Sequence, residues 1–402
     1  MVRDGYKMTE LGEIPVEWDV VPLNDFTDKM TSGGTPNRGK NEYYENGDIC
    51  WIKTGELKDK DIFGTDEKIT NIGLKFSSAK IYPVKTVLIA MYGATIGKLG
   101  ILRVESSSNQ ACCAFISKKN DYIYLFYWLL YNRKNLISLG AGGGQPNISQ
   151  EILRNVKIPL PPLPEQQKIA SILSSVDETI EETEALIEKY QHVKKGLMSD
   201  LLTKGIDEVG CVRSEQTHEF KDSVLGKVPV EWDLRKLESV ATLQRGYDLP
   251  IQVRNEGINP VYGSNGINGC HSESMVKGPG VLTGRSGTIG FVYYSHVDYW
   301  PLNTTLYVKD FHGNYPKFIW RLLQSLNLKK YSAATGVPSL NRNFIHPEII
   351  KLPPLPEQKR IAEILTSADQ HIEKEEAYRD KLLQMKKGLM QDLLTGRVRV
   401  TV

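Results

Sequence analysis

Apolar residues recur at Ile169, Ile172, Val176, Ile180, Ile187, Tyr190, Leu197 and Leu201, separated by three, four or sums of the two. That period predicts one long helix with a narrow apolar stripe. Pro164 suits the first helical position, where a missing N–H costs nothing, Glu165 complements the positive end of the helix dipole, and Gly205 offers a stop. The same pattern returns at Ile361, Ile364, Ala368, Ile372, Leu382, Leu389 and Leu393, ending at Gly396. At 1.5 Å per residue, some forty residues make a rod of roughly 60 Å, and so narrow a stripe suits a two-helix coiled coil better than a core helix. Elsewhere the apolar runs are short. Stretches such as Thr86 to Met91 and Gly290 to Tyr294, set off by Gly, Asn and Asp, predict strands and turns. Segments around Tyr122 to Tyr131 and Pro316 to Leu326 predict one packed helix in each globular part.

The chain is written twice. Leu11-Gly12-Glu13-Ile14-Pro15-Val16-Glu17-Trp18-Asp19 returns as Leu225-Gly226-Lys227-Val228-Pro229-Val230-Glu231-Trp232-Asp233, Trp18 and Trp232 being 214 positions apart. Pro161-Pro162-Leu163-Pro164-Glu165-Gln166 returns as Pro353-Pro354-Leu355-Pro356-Glu357-Gln358, and Lys194-Lys195-Gly196-Leu197-Met198 as Lys386-Lys387-Gly388-Leu389-Met390, both 192 positions later. Thr95-Ile96-Gly97 matches Thr288-Ile289-Gly290 at an offset of 193, so nearly all of the 22-residue change lies upstream of that turn. There the copies read Gly33-Gly34-Thr35-Pro36-Asn37-Arg38 and Arg245-Gly246-Tyr247-Asp248-Leu249-Pro250, with almost no resemblance. A kept scaffold with one divergent loop-rich region fits two readers of different ligands; neutral drift in surface loops is the alternative. The organisation expected is a globular domain over 1–157, a proline ramp and long helix over 158–205, a second globular domain with its linker over 206–349, and a second ramp and helix over 350–402. The ramps, such as Ile158-Pro159-Leu160-Pro161-Pro162, favour an extended polyproline-like backbone.

Composition narrows the class. A length of 402 residues suits two or three domains, and 40% hydrophobic residues with a mean hydropathy of −0.33 fit neither global disorder nor a membrane protein. Tyr122 to Tyr131 is about half of the ~20 apolar residues a bilayer span needs. Met1 to Glu10 has no apolar core of the secretory kind. Five cysteines, with no C-x-x-C pair, point away from a disulfide framework or zinc site and toward a reducing cytoplasm. The net charge of +2 excludes a generic polycation. Within the first helix, acids crowd the early half (Glu165, Asp177, Glu178, Glu181, Glu182, Glu184), and bases dominate the late half. The second helix repeats the trend with Arg379, Lys381, Lys386 and Lys387 late. Two explanations fit this order: antiparallel packing that sets acidic beside basic halves, and complementation of each helix's own dipole.

Two unlike globular units joined by two repeated helices, each begun by Pro-Pro-Leu-Pro-Glu-Gln, closely resemble the specificity subunit of Type I restriction-modification systems. The supporting residues include Gly33-Gly34-Thr35-Pro36, Asn46-Gly47-Asp48-Ile49 with Trp51, Gly93-Ala94-Thr95-Ile96-Gly97 and Asn109-Gln110. The second copy adds Gly246-Tyr247-Asp248-Leu249-Pro250, Gly284-Arg285-Ser286-Gly287-Thr288-Ile289-Gly290, Pro301-Leu302-Asn303-Thr304-Thr305 and Pro338-Ser339-Leu340-Asn341-Arg342. No Asn-Pro-Pro-Tyr/Phe adenine-methylation motif, Walker A loop or nuclease constellation is present.

The resemblance implies an α+β fold: two mixed α/β target-recognition domains joined by two long helices packed as an antiparallel coiled coil, with internal pseudo-two-fold symmetry. It implies a non-catalytic, cytoplasmic subunit that needs no cofactor or metal and binds double-stranded DNA at a bipartite asymmetric target. Two methylation subunits, and restriction subunits in the full complex, are the implied protein partners. Arg pairs with guanine and Asn or Gln with adenine, while Ser, Thr and Lys often hold phosphates. On that basis the DNA-binding candidates are Thr35, Asn37, Arg38, Lys53, Tyr92, Lys98, Gln145 and Asn147 in the first domain. In the second they are Arg245, Tyr247, Gln252, Arg254, Ser264, Asn265, Arg285 and Arg342. Gly93, Gly97, Gly287 and Gly290 are expected to shape tight turns, and Asn109 and Asn303 to make local turn bonds. Outside the two helices the chain carries 37 bases and 32 acids, which predicts weak, salt-sensitive DNA binding by the subunit alone. A structural coiled-coil adaptor whose globular units bind proteins is the rival reading. It explains the rods but not the divergent loops rich in Arg, Asn and Gln.

Overall fold

In the computed structural model, residues 2–140, 147–332 and 338–401 are described. The chain forms two compact units, Met1–Thr183 with Tyr378–Val402, and Glu184–Ala377. Each long helix therefore contributes one half to each unit. The helices run over Leu163–Thr203 and Leu355–Leu394, close to the span set by the apolar period. No helix among the described residues is long and apolar enough to cross a membrane.

The first unit is built on a five-stranded sheet ordered Lys29–Ser32, Cys112–Ile116, Val87–Ala90, Leu99–Leu102 and Lys60–Ile62, antiparallel except for its last pair. A smaller sheet orders Ser106–Ser108, Ile49–Ile52 and Lys68–Ile69. The helix Tyr122–Tyr131 shares one apolar core with the large sheet: Leu125, Trp128 and Leu129 are buried with Val87, Ile89, Ile101 and Phe115. Six consecutive buried residues in this helix, Tyr124 to Leu129, explain why its sequence reads as a solid apolar run rather than a stripe. Ile169, Ala170 and Leu173 of the first long helix close the same core.

The second unit repeats this plan with one strand fewer in its large sheet: Thr242–Arg245, Thr305–Asp310, Gly280–Gly284 and Val292–Ser295. Its smaller sheet orders Gly266–His271, Asn259–Gly263 and Trp300–Pro301. The helix Pro316–Ser325 packs Phe318, Ile319, Leu322 and Leu323 into a core closed by Ile361, Ala362 and Leu365 of the second long helix. The extra length of the first copy falls mainly in residues 53–86, which hold the strands Lys60–Ile62 and Lys68–Ile69 and the helix Asn71–Lys75.

Both repeated sequence motifs meet at one place in each unit. The proline ramps are extended, as expected, but they are also hydrogen-bonded ribbons: Lys157–Leu160 pairs with Asp19–Pro22, and Ile349–Leu352 with Asp233–Lys236. Proline is tolerated there because a two-stranded ribbon leaves an outer edge needing no donor. Glu165, buried at the start of the first long helix, accepts a bond from Trp18 Nε1 at 2.9 Å and from Arg399 Nε at 2.6 Å. Glu357 likewise takes Trp232 Nε1 at 3.0 Å and the Arg213 guanidinium at 2.5 Å. The adjoining glutamines cap the packed helices: Gln166 Oε1 accepts from Asp121 N and Gln358 Oε1 from Tyr315 N, each at 3.0 Å. Gly205 and Gly396 both lie at positive φ beside these knots, where a Cβ would stand 2.1 Å from Glu357 Oε1 and 2.4 Å from Pro15 Cδ respectively.

The long helices pack antiparallel in both units. In the first, the partners of Glu165, Asp177 and Ile180 descend through Arg399, Lys386 and Leu382. In the second, Tyr190 stacks near His371 and Lys194 pairs with Asp369. Acidic early positions thus face basic late positions, as the charge order allowed.

Candidate nucleic-acid interface

In the first unit the divergent stretch forms a loop tied to the small sheet. Trp51 Nε1 donates to the Gly34 carbonyl at 2.9 Å, and the Tyr44 hydroxyl donates to the Pro36 carbonyl. Arg38 lies over the rings of Tyr44 and Trp51, 4.5 and 4.7 Å from their centroids. Glu67 receives Arg38 and, at 3.0 Å, Lys53 Nζ. The bond from Arg38 holds the Glu67 carboxyl below its ordinary range, and the Arg38 guanidinium is raised in turn. Thr35 donates to Gln110, while Asn37 Oδ1 accepts from Gly39 N at 2.9 Å in a local turn. Thr35, Asn37, Arg38 and Lys53 therefore gather on one loop cluster.

Tyr92 and Asn147 meet in an isolated antiparallel bridge beside the Gly93 turn, whose φ of 85° calls for glycine. Lys98 stands apart. It pairs with Asp59 at 2.8 Å in a knot that also holds Arg133, so its charge already has a structural partner. Gln145 lies outside the described residues. Asn109 Oδ1 accepts from Ala111 N at 3.1 Å, the local turn bond anticipated for it.

In the second unit, Arg245, Tyr247, Arg285 and Arg342 line one cleft of about 510 Å³ together with Gln244 and Asn341. Among the described lining residues there is no carboxylate, Asp248 standing at the edge beside Arg245. Each arginine is braced at its edge: Arg285 Nη1 donates to the Asn303 carbonyl at 3.1 Å, Arg342 Nη1 to the Leu243 carbonyl at 3.2 Å, and Arg245 lies 3.4 Å from Asp248. Such a bond occupies one of a guanidinium's five donors. Tyr247 and Tyr307 join through their hydroxyls at 2.9 Å, and the Asn303 amide, expected to make a local turn bond, donates instead to Asp248, 55 positions away. Ser264 approaches the Gly287 turn, its Oγ 3.6 Å from where a Cβ would stand. Asn265 occupies the hairpin between Asn259–Gly263 and Gly266–His271, and Gln252 is exposed on a short 3₁₀ turn. Arg254 braces that hairpin, donating to the Asn268 carbonyl at 2.6 Å.

The backbone hydrogen-bond frames of the two units correspond even where their sequences do not. Ser32 and Arg245 end equivalent edge strands, paired with Cys113 and Leu306. Met91 N bonds the Ala111 carbonyl, and the Met91 carbonyl accepts from Ile148 N; Arg285 makes the same two bonds to Thr304 and Leu340. Gln150 Nε2 donates to the Met30 carbonyl at 2.9 Å, as Arg342 does to Leu243. Ser32, Met91 and Gln150 thus stand where the second unit has Arg245, Arg285 and Arg342. Thr35 with Gln110 likewise matches Asp248 with Asn303. Ser32 and Gln150 were not among the sequence candidates. The signal that finds them is the backbone pairing, which aligns loops whose residues do not match.

Residues 15–190 and 229–384 match the family described as Type I restriction modification DNA specificity domain. The chain belongs to that family. This specificity subunit is 29% identical to the Type I restriction enzyme MjaVIII specificity subunit of Methanocaldococcus jannaschii, over 96% of this chain and 94% of that one. It is 24% identical to the EcoprrI specificity subunit of Escherichia coli over 89% and 88% of the two chains. The Type I system S subunit of M. genitalium has the same fold, with a TM-score of 0.62, 17% identity and 96% and 97% of the chains covered. Specificity subunits are the DNA-recognition components of these systems, which makes the loop cluster and the arginine cleft candidates for target recognition.

Proposed function

We propose that this specificity subunit reads a bipartite, asymmetric double-stranded DNA target, one half-site through the globular part of residues 1–157 and the other through that of 206–349. The observation that carries the reading is the retained hydrogen-bond frame with unlike side chains at matched positions, Ser32, Met91 and Gln150 against Arg245, Arg285 and Arg342. A scaffold that repeats offers equivalent surfaces to two copies of a partner, while side chains that do not repeat distinguish two sequences. The protein partners in this reading are two methylation subunits, with restriction subunits added in the full complex in the cytoplasm. The subunit performs no chemistry itself, and its two long helices set the spacer between the half-sites.

Fifteen of the sixteen candidates are described residues, and their local contacts support a proposed role for each. Arg38 over Trp51, and Arg245, Arg285 and Arg342 in the cleft, are proposed to reach bases; Lys53 to face phosphates; Lys98, already paired with Asp59, to brace the surface; Arg254 to hold the hairpin that presents Ser264 and Asn265. Thr35, Asn37, Tyr92, Asn147, Tyr247 and Gln252 complete the surfaces. The test is to purify the chain with a co-expressed adenine methyltransferase partner and sequence the methylated adenines. A split motif with an unread centre is expected. A partner that never associates, or methylation without any split motif, contradicts the proposal.

A further inference from the structure

The cleft in the second unit has no cationic counterpart at the matched positions of the first. Three guanidiniums line one concave surface with no carboxylate among the described lining residues, Asp248 pairing with Arg245 at its edge; the matched positions of the other copy hold the Ser32 hydroxyl, the core-buried Met91 and the Gln150 amide. A phosphate clamp performs the same task whatever the sequence, so two readers on one frame would both retain it. Ser32 and Gln150, which become Arg245 and Arg342, are instead positions where sequence preference changes, while Arg285 adds a guanidinium where the first copy keeps Met91 in its core. Arginine's fork matches the O6 and N7 acceptors of guanine in the major groove, whereas the glutamine amide matches adenine. The edge bonds from Arg285 to Asn303 and from Arg342 to Leu243 hold those forks in place before DNA arrives.

Resting on the reading above, we propose that the second unit recognises a guanine-containing half-site through Arg245, Arg285 and Arg342, and that the first unit reads its half-site without arginine at these three positions.

The test uses the complex with its methylation partner and duplexes randomised in both half-sites. R245S, R285M and R342Q each install the residue type that the first copy carries on the same frame, and R342Q can keep the carbonyl bond that Gln150 makes. The wild type is expected to select guanine at one or more positions of one half-site. Each variant should lower that preference at a single position by roughly 5- to 150-fold, leaving the other half-site unchanged. R285K adds a second check, since lysine keeps the charge but not the fork. It should weaken the base preference, less than R285M does, while the salt dependence of binding stays as in the wild type. A responding half-site without guanine, a uniform loss across all sequences, or no change of either half-site in any variant overturns the inference. If the wild type selects no split target at all, the proposed function falls as well; a split target that fails only these criteria leaves the proposed function standing.

Discussion

Glu357 is 3% exposed and holds the Arg213 guanidinium, itself 7% exposed, together with the Trp232 indole. Removing its charge strands a buried arginine, a change that costs about 3–5 kcal/mol when the remaining ion has no other route to water. E357Q should therefore lower the urea midpoint of the second unit substantially, and W232F, which removes the indole donor to that carboxylate and part of a fully buried ring, should cost about 2–4 kcal/mol. His346 is a second sensitive group. Its Nε2 accepts from Leu243 N at 3.0 Å, and burial, aided by the Arg342 charge, pushes its pKa below 6.5. The unfolded chain then binds a proton that the folded one resists, so this contribution is complete above pH 6.5 and fades as pH falls below it. Thermal melts from pH 7.5 to 5.5 should show a smaller acid-side decline in H346Q than in the wild type, and equal declines would contradict that assignment. At this scale the sequence was only half legible. It displayed Glu165, Glu357 and both tryptophans as repeated letters, but not that they bond one another, because 147 and 125 positions separate donor from acceptor. The three arginines were readable as candidates, but their Ser, Met and Gln counterparts were not, since only backbone pairing aligns them.

The long helices were the most legible elements, because a sustained apolar period with a proline start and a glycine stop leaves few alternatives. Charge order left antiparallel packing and dipole complementation both open, and the contacts establish the first. Asp369 pairs with Lys194 and with Arg321, whose side chain is 1% exposed and stacks on Trp320. Asp177 pairs with part-exposed Lys386 and accepts the Tyr127 hydroxyl at 2.8 Å. D369N should consequently destabilise by about 3 kcal/mol and D177N by about 1 kcal/mol, because only the first leaves a buried cation without its carboxylate. Denaturant titration of both variants measures the difference; equal losses would show that Arg321 finds sufficient compensation elsewhere. Strand boundaries in the divergent region were not legible. Residues 53–86 build Lys60–Ile62 and Lys68–Ile69 from short mixed segments, and those join the sheets through partners as distant as Leu99–Leu102. The ramps read correctly as extended but not as paired, since proline content reports backbone preference and says nothing about the strand beside it.

For the whole molecule, the duplication explains how a chain of 402 residues with a net charge of only +2 suits DNA recognition. Slightly acidic helices offset mildly basic globular parts, so the isolated subunit should bind DNA weakly and lose that binding steeply as salt rises. Tight binding should appear only in complex with the proposed methylation partner. If the helices act as the spacer, four residues inserted into one of them add about 6 Å and should lengthen the unread centre by one or two base pairs. An unchanged centre would remove the helices from that role. The most direct measurement of the central claim is single-molecule sequencing of methylated adenines on DNA treated with this subunit and its methylation partner. The account predicts one split, asymmetric motif whose two halves respond separately to substitutions in residues 1–157 and 206–349. A continuous motif, or both halves changing together with substitutions in one unit, would contradict it.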